Sequence, residues 1–127
     1  MQKEIIHTEK APQPVGPYSQ AVKANGFLCL AGQVPIIPES GAFHTGSFEE
    51  QCRLVLENVK AVLQAGGSSL EEVVKVTIFL KDMEDFGKLN AIYSEYFGEG
   101  KPARTCIQAG RLPKDVDVEI EAIALCA

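Results

Sequence analysis

Along this chain the spacing of apolar residues switches between a period of two and a period of three to four, and each switch marks an element. Between Ser47 and Gly66, Phe48, Cys52, Val55, Val59 and Val62 recur at helical spacing, while Glu50, Arg53, Glu57, Lys60 and Gln64 fall on the opposite stripe. That pattern predicts an amphipathic helix. Ser47 and Glu50 read as a capping box at its start, and Gly66-Gly67 as its stop. A second helix is predicted after Asp82, with Asp82 as cap and Phe86, Leu89, Tyr93 and Phe97 as its buried stripe. Strict alternation over Val74–Lys81 predicts a strand with Val74, Val76, Ile78 and Leu80 on one face. Alternation also runs through Pro102–Ala109 and Val116–Ala124, on either side of the turn-like Gly110–Asp115.

The N-terminal third is shorter-grained. Lys3–His7 reads as a first strand. Asn25-Gly26 between the apolar runs Ala21–Ala24 and Phe27–Ala31 is a strong hairpin signal. The loop Ala11–Pro17 holds Pro12, Pro14 and Pro17, which stiffen it and remove backbone donors. Ile36–Gly46 reads as a turn-rich excursion. The order strand, hairpin, helix, strand, helix, strand, strand predicts an α+β two-layer sandwich, a sheet with two helices on one face, in a single domain over residues 1–127. Two helices cover only one face. Phe79, Ile123 and Leu125 fall on the other, among Lys75, Thr77 and Lys81, so an oligomer that covers this face is expected, with site walls from two chains.

Charge removes some classes of function. The 127 residues carry a formal net charge of -5, which argues against a nucleic-acid partner, since that requires clustered Lys and Arg. It equally gives no support for an anionic membrane surface. No run approaches a membrane span, and Met1–Lys10 is too charged for a signal segment. Cys29, Cys52, Cys106 and Cys126 have no Cys-x-x-Cys or metal-knuckle spacing and read as reduced thiols in the cytoplasm. Cys29, Cys52 and Cys126 are expected to be small core side chains.

The candidate chemistry centres on the two C-terminal strands. In the first, Arg104, Cys106 and Gln108 share one face and Thr105, Ile107 and Ala109 the other. In the second, Val116, Val118, Ile120, Ala122, Ala124 and Cys126 oppose Asp117, Glu119 and Glu121. If both apolar faces rest on one core, Arg104 and Glu119 leave the sheet on the same side. A guanidinium fork grips a carboxylate through two parallel hydrogen bonds, and a carboxylate beside it can direct a water. The plain alternatives are an ion pair of Arg104 with Glu119 or Glu121, and a solvated acidic strand face. Cys106 shares the face of Arg104, where a cation would lower a thiol pKa, but His7 and His44 are far off in sequence, so it is read as a wall. Tyr18, after its rigid loop, is either a pocket donor or a loop anchor. Asn90 is a pocket donor or a structural link, and Gly32 a close backbone approach or a strand end. There is no phosphate loop, dinucleotide fingerprint, metal cluster or Gly-x-Ser-x-Gly elbow, so any catalysis runs without a cofactor or metal.

Four stretches, Gly16–Ala21, Ala31–Pro35, Leu56–Leu63 and Pro102–Cys106 continuing through Leu112–Ala124, together resemble the Rid (YjgF) family, specifically its RidA branch, from end to end. The resemblance implies a chorismate-mutase-like fold and a homotrimer with sites at subunit interfaces. It also implies cofactor-independent hydrolysis of 2-imino acids, such as 2-iminopropanoate and 2-iminobutanoate, to 2-oxo acids and ammonia. These imines derive from enamines released by pyridoxal-phosphate-dependent dehydratases. By motif, Arg104 would bind the substrate carboxylate and Glu119 position the water, with Tyr18, Gly32, Asn90 and Cys106 lining the cleft. Ala31 stands where many relatives have serine, and Thr105 replaces a common serine. A non-catalytic 2-oxo acid-binding or protein-interaction module of the same fold is the alternative.

Overall fold

The computed structural model describes every residue from Met1 to Ala127. Its elements run β1 (Glu4–Ile6), β2 (Ala21–Ala24), β3 (Phe27–Leu30), α1 (Phe48–Ala65), β4 (Val73–Leu80), α2 (Phe86–Tyr96), β5 (Ala103–Gln108) and β6 (Val118–Leu125). The strands form one six-stranded sheet in the order β1-β2-β3-β6-β4-β5. All neighbours are antiparallel except β4 and β5, whose parallel pairing needs the crossover that α2 supplies. The α+β sandwich with both helices on one face is as the sequence predicts.

Local signals explain most boundaries. Asn25 and Gly26 both take positive φ (53° and 79°), the backbone of a tight hairpin turn joining β2 to β3. Ser47 caps α1 by accepting from the Glu50 N–H, and the Glu50 carboxylate accepts from the Ser47 N–H. Asp82 does cap a helix, but a 3-10 turn at Met83–Asp85 rather than α2 itself. The core lies between α1, α2 and the sheet, where Val55, Leu56, Val59, Val62 and Leu63 meet Leu28, Val76, Ile78, Val118 and Ile120.

Three expectations are corrected. In β4 the residue buried at the start is Val73, not Val74, because the pairing with β6 slips between Val73 and Lys75 and shifts the alternation there. Cys29 is exposed, because its cross-strand partner is Ile123 on the face away from the helices. The third concerns the site. Cross-strand partners share a face of the sheet. Arg104 pairs with Val76, which is buried under the helices, whereas Glu119 pairs with Phe79 on the far face. Arg104 and Glu119 therefore leave opposite sides of the sheet, not the same side. In β5 the apolar Ile107 face is the outer one, and Ile107 is 45% exposed.

Candidate active site

The residues singled out in the sequence fall into two clusters on one chain. The first surrounds Arg104 at the edge strand β5, beneath α2. The Arg104 guanidinium carbon lies 4.9 Å from the Tyr93 ring centroid and 5.4 Å from that of Phe86. Its Nη2 donates to Asn90 Oδ1 at 2.8 Å. Phe86, Asn90 and Tyr93 follow one another at four- and three-residue intervals, so a single face of α2 presents all three. Asn90, Tyr93, Ser94, Lys101, Pro102 and Arg104 line a cavity of about 280 Å³.

What Arg104 lacks separates it from the other arginines. Arg53 forms a two-pronged pair with Glu95, at 2.7 and 2.9 Å. Arg111 does the same with Asp115, at 2.9 and 3.3 Å. Arg104 has no acidic partner and is held only by two aromatic faces and a neutral amide. The ion pair with Glu119 or Glu121 is absent within the chain. Cys106, next on the same face, is half-buried; burial pushes its thiol pKa up and the Arg104 charge offsets this only in part, so the expected lowering does not occur.

The second cluster surrounds Glu119 on the outer face of β6. The Gly32–Gln33 segment runs on beside β6, with Gln33 and Ile120 exchanging both backbone hydrogen bonds, at 2.7 and 3.0 Å. This brings Gly32 under the Glu119 side chain, where a Cβ at position 32 would collide with the carboxylate. Gly32 is thus a close-approach glycine rather than a turn glycine. Val15, Tyr18, Ala31, Val34, Phe43 and Pro113 complete, with Gly32 and Glu119, a cavity of about 290 Å³. Tyr18 is 48% exposed and its hydroxyl accepts from the Val15 N–H at 3.2 Å, which folds the proline loop back on itself. Glu119 receives no hydrogen bond from any protein donor; burial, and then the neighbouring Glu121, push its pKa up.

The structure thus brings Tyr18, Gly32 and Glu119 together, and Asn90 with Arg104, but leaves the two groups on opposite faces of the sheet. Phe86 and Tyr93 were missed as site residues, because their spacing reads equally well as a core stripe; Phe86 is in fact 39% exposed. Phe43, Pro113 and Val34 were also missed, since loop apolar residues carry no periodicity. His7 is held by Gln13 and His44 by Glu50, and neither lines either cavity. No helix is long and apolar enough to cross a membrane.

An α+β sandwich with an uncompensated arginine on one face and an unpartnered glutamate on the other is the class of protein that the fold and the two clusters define. Comparison with known proteins narrows the class. A family model described as Endoribonuclease L-PSP matches residues 8–126. A RutC family protein of Pyrococcus horikoshii is 60% identical over 122 residues, covering 96% of this chain and 97% of that one. TdcF of Escherichia coli, which carries the provisional name of reactive intermediate deaminase, is 43% identical over 126 residues, covering 97% of each chain. The crystal structure of E. coli TdcF with bound serine superposes with a TM-score of 0.91 at 42% identity, covering 98% of this chain and 99% of that one. The chain belongs to the Endoribonuclease L-PSP family, which is the YjgF/Rid family.

Proposed function

We propose that this protein hydrolyses 2-imino acids, of the size of 2-iminopropanoate and 2-iminobutanoate, to 2-oxo acids and ammonia. In this reading residues 1–127 act as one cytoplasmic domain, and the active site forms between copies of the chain in a homotrimer. The observation that carries the reading is Arg104, a guanidinium fixed in place by neutral groups at a cavity with no carboxylate to neutralise it. An arginine left in that state is a receptor for a carboxylate ligand.

The opposite placement of Arg104 and Glu119 supports assembly. One chain cannot present both to one substrate, but the Arg104 edge of one copy set against the Glu119 face of the next can. Contact between two different patches is the kind that closes into a ring. The outer face offers Phe27, Ile107, Ile123 and Leu125, all exposed in one chain, as the surface to be covered.

In the assembled site Arg104 holds the substrate carboxylate and aligns the C=N carbon with a water. Glu119 removes a proton from that water as its oxygen bonds to carbon, and passes that proton to the imine nitrogen. The product is a carbinolamine, with Glu119 again a carboxylate. Glu119 then takes the hydroxyl proton and delivers it to the nitrogen as the C–N bond breaks, which leaves the 2-oxo acid and ammonia. Burial of Glu119 raises its affinity for a proton and makes it a better base once ionised. Imines hydrolyse unaided, so positioning by Arg104 and desolvation carry much of the gain.

The family model's description names an endoribonuclease. A net charge of -5 and two histidines that line neither cavity give that activity no support here. A carboxylate-binding module without turnover is a second reading, favoured by the serine held in the TdcF structure. The deciding experiment generates 2-iminobutanoate in situ and follows its loss. Acceleration by the protein, abolished in Arg104→Ala, is expected. Loss at the uncatalysed rate, or an Arg104→Ala variant as fast as the parent, overturns the proposal; binding of 2-oxobutanoate with no acceleration favours the second reading.

A further inference from the structure

We infer that Phe86 and Tyr93 form an aromatic clamp whose function is to aim Arg104, making Phe86 a positioning residue of the carboxylate subsite. This inference rests on the reading of Arg104 as a carboxylate receptor. The two rings lie 5.4 and 4.9 Å from the guanidinium carbon, within the range of cation–π attraction. Such attraction stabilises the cation without supplying an acceptor that occupies its N–H groups. Asn90 takes up one of them, at 2.8 Å. The remaining donors stay free for a ligand. A carboxylate in place of the rings would also fix the side chain, but it would neutralise the charge and fill the fork.

The two walls of the clamp differ in rigidity. Tyr93 is 4% exposed and stacks on Phe97, with ring centroids 4.5 Å apart and planes 30° from parallel, so the inner wall is locked into the core. Phe86 sits at the first residue of α2, where the stripe of that helix runs out of core to cover. Phe86 is 39% exposed in a single chain, and its ring lies over the guanidinium. Held there, it restrains a long, rotamer-rich arginine, whose ordering would otherwise be charged to each binding event. The buried Tyr93 hydroxyl has no hydrogen-bond partner within the chain.

The test uses the full-length protein and two readouts, titration of 2-oxobutanoate by calorimetry and steady-state imine loss. Phe86→Leu keeps an apolar residue at an exposed position and removes the π face. The expected result is a Kd for 2-oxobutanoate weakened about 3- to 30-fold, the range of a cation–π contact, with KM rising in parallel, kcat falling less than twofold and Tm unchanged. Phe86→Trp, which restores a π face, is expected to recover binding. Equal Kd for Phe86→Leu and the parent overturns the inference. So does failure of Phe86→Trp to recover binding when Phe86→Leu has lost it, because that pattern marks a shape or stability effect. If the parent binds 2-oxobutanoate but shows no imine turnover, the proposed activity fails and the clamp is still decided by the Kd values.

Discussion

The two halves of the site are held in place by different means. Arg104 stands on a strand and is steadied by one face of a helix, with stacked rings behind it. Glu119 also stands on a strand, but the walls of its cavity are irregular segments tied down by buried amides. Gln20 donates to the carbonyls of Pro12 and Thr8, which holds the loop leading to Tyr18. Asn58 of α1 donates to the carbonyls of Val34 and Ile36. Gln51 of α1 accepts from the Asp117 N–H and donates to its carboxylate, fixing the approach to β6. Aromatic packing restrains a charge without consuming its hydrogen bonds, while amides suit backbone that has no ladder of its own. Both halves end in the same electrostatic condition. A cation has no counter-ion and an anion has no donor, so each is open to a ligand rather than to its own chain.

The sharpest way to break this comparison is to give each half to a different chain. Arg104→Ala and Glu119→Ala are each expected to lower kcat/KM by about 30- to 1,000-fold, the cost of removing one member of a desolvated charged contact. Co-expressed and co-assembled, the two variants are expected to recover about a quarter of the parent activity, the statistical share of interfaces that hold both intact residues when chains mix at random around a ring. No recovery in the mixed oligomer, with each variant still assembling, would place both halves of a site within one chain and refute the shared cleft.

The elements were legible in the sequence because each has a local cause. Asn25-Gly26 dictates its turn, Ser47 and Glu50 cap α1, and alternation marks β4 and β6. The faces were less legible. In β5 the alternating sets are Arg104, Cys106, Gln108 and Thr105, Ile107, Ala109, and hydropathy alone puts Ile107 inside. The structure does the reverse, because α2 meets β5 with Phe86 and Tyr93, whose rings accept a guanidinium where an aliphatic helix would not. A pattern of apolar positions records what is covered, including by other chains, and not which partner covers it. The same ambiguity hid Phe86 inside a helical stripe.

A smaller perturbation tests the Glu119 half alone. Gly32→Ala puts a methyl group where the carboxylate now rests, so Glu119 must turn away. The expected outcome is a fall in kcat of about 10- to 100-fold, less than the roughly 100- to 10,000-fold that a well-placed acid–base contributes because the base is displaced and not removed, with binding of 2-oxobutanoate to Arg104 largely kept. Parallel loss of both would mean that the two halves are not separable. Phe86→Leu is the mirror image, acting on binding and sparing kcat.

Glu119 also makes a pH prediction. Its pKa in the folded chain is raised above the ordinary 4.5 by burial and by Glu121. The folded state therefore binds more protons than the unfolded state as pH rises from 4.5, and stability is lost across that window up to the raised pKa. Glu119→Gln removes the effect. Relative to the parent, its Tm is expected to be higher at pH 7, and to coincide with the parent at pH 3, where both are neutral. The parent's activity should fall on the acid side as Glu119 protonates. A Tm advantage equal at both pH values would assign it to packing instead of charge.

The smallest expected effect lies in the turn that supplies Pro113 to the Glu119 cavity. Lys114 and Asp115 both adopt positive φ, 53° and 56°, just before β6. Aspartate tolerates this region and is further held by its two-pronged pair with Arg111, which keeps the Asp115 carboxyl below its usual range. Lysine has no such compensation, and its side chain is exposed. Lys114→Gly relieves the strain at the cost of a looser unfolded chain, so a net gain of roughly 0.5 kcal/mol is expected by denaturant titration. Lys114→Val, with a branched Cβ in the same backbone, should instead lose about 1 kcal/mol. If neither changes stability, the turn is not strained, and Pro113 is placed by β6 and Arg111–Asp115 alone. If both behave as expected and kcat is unaffected, the turn is a rigid wall whose strain is structural, in contrast to the Arg104 half, where Phe86 spends its exposure on binding.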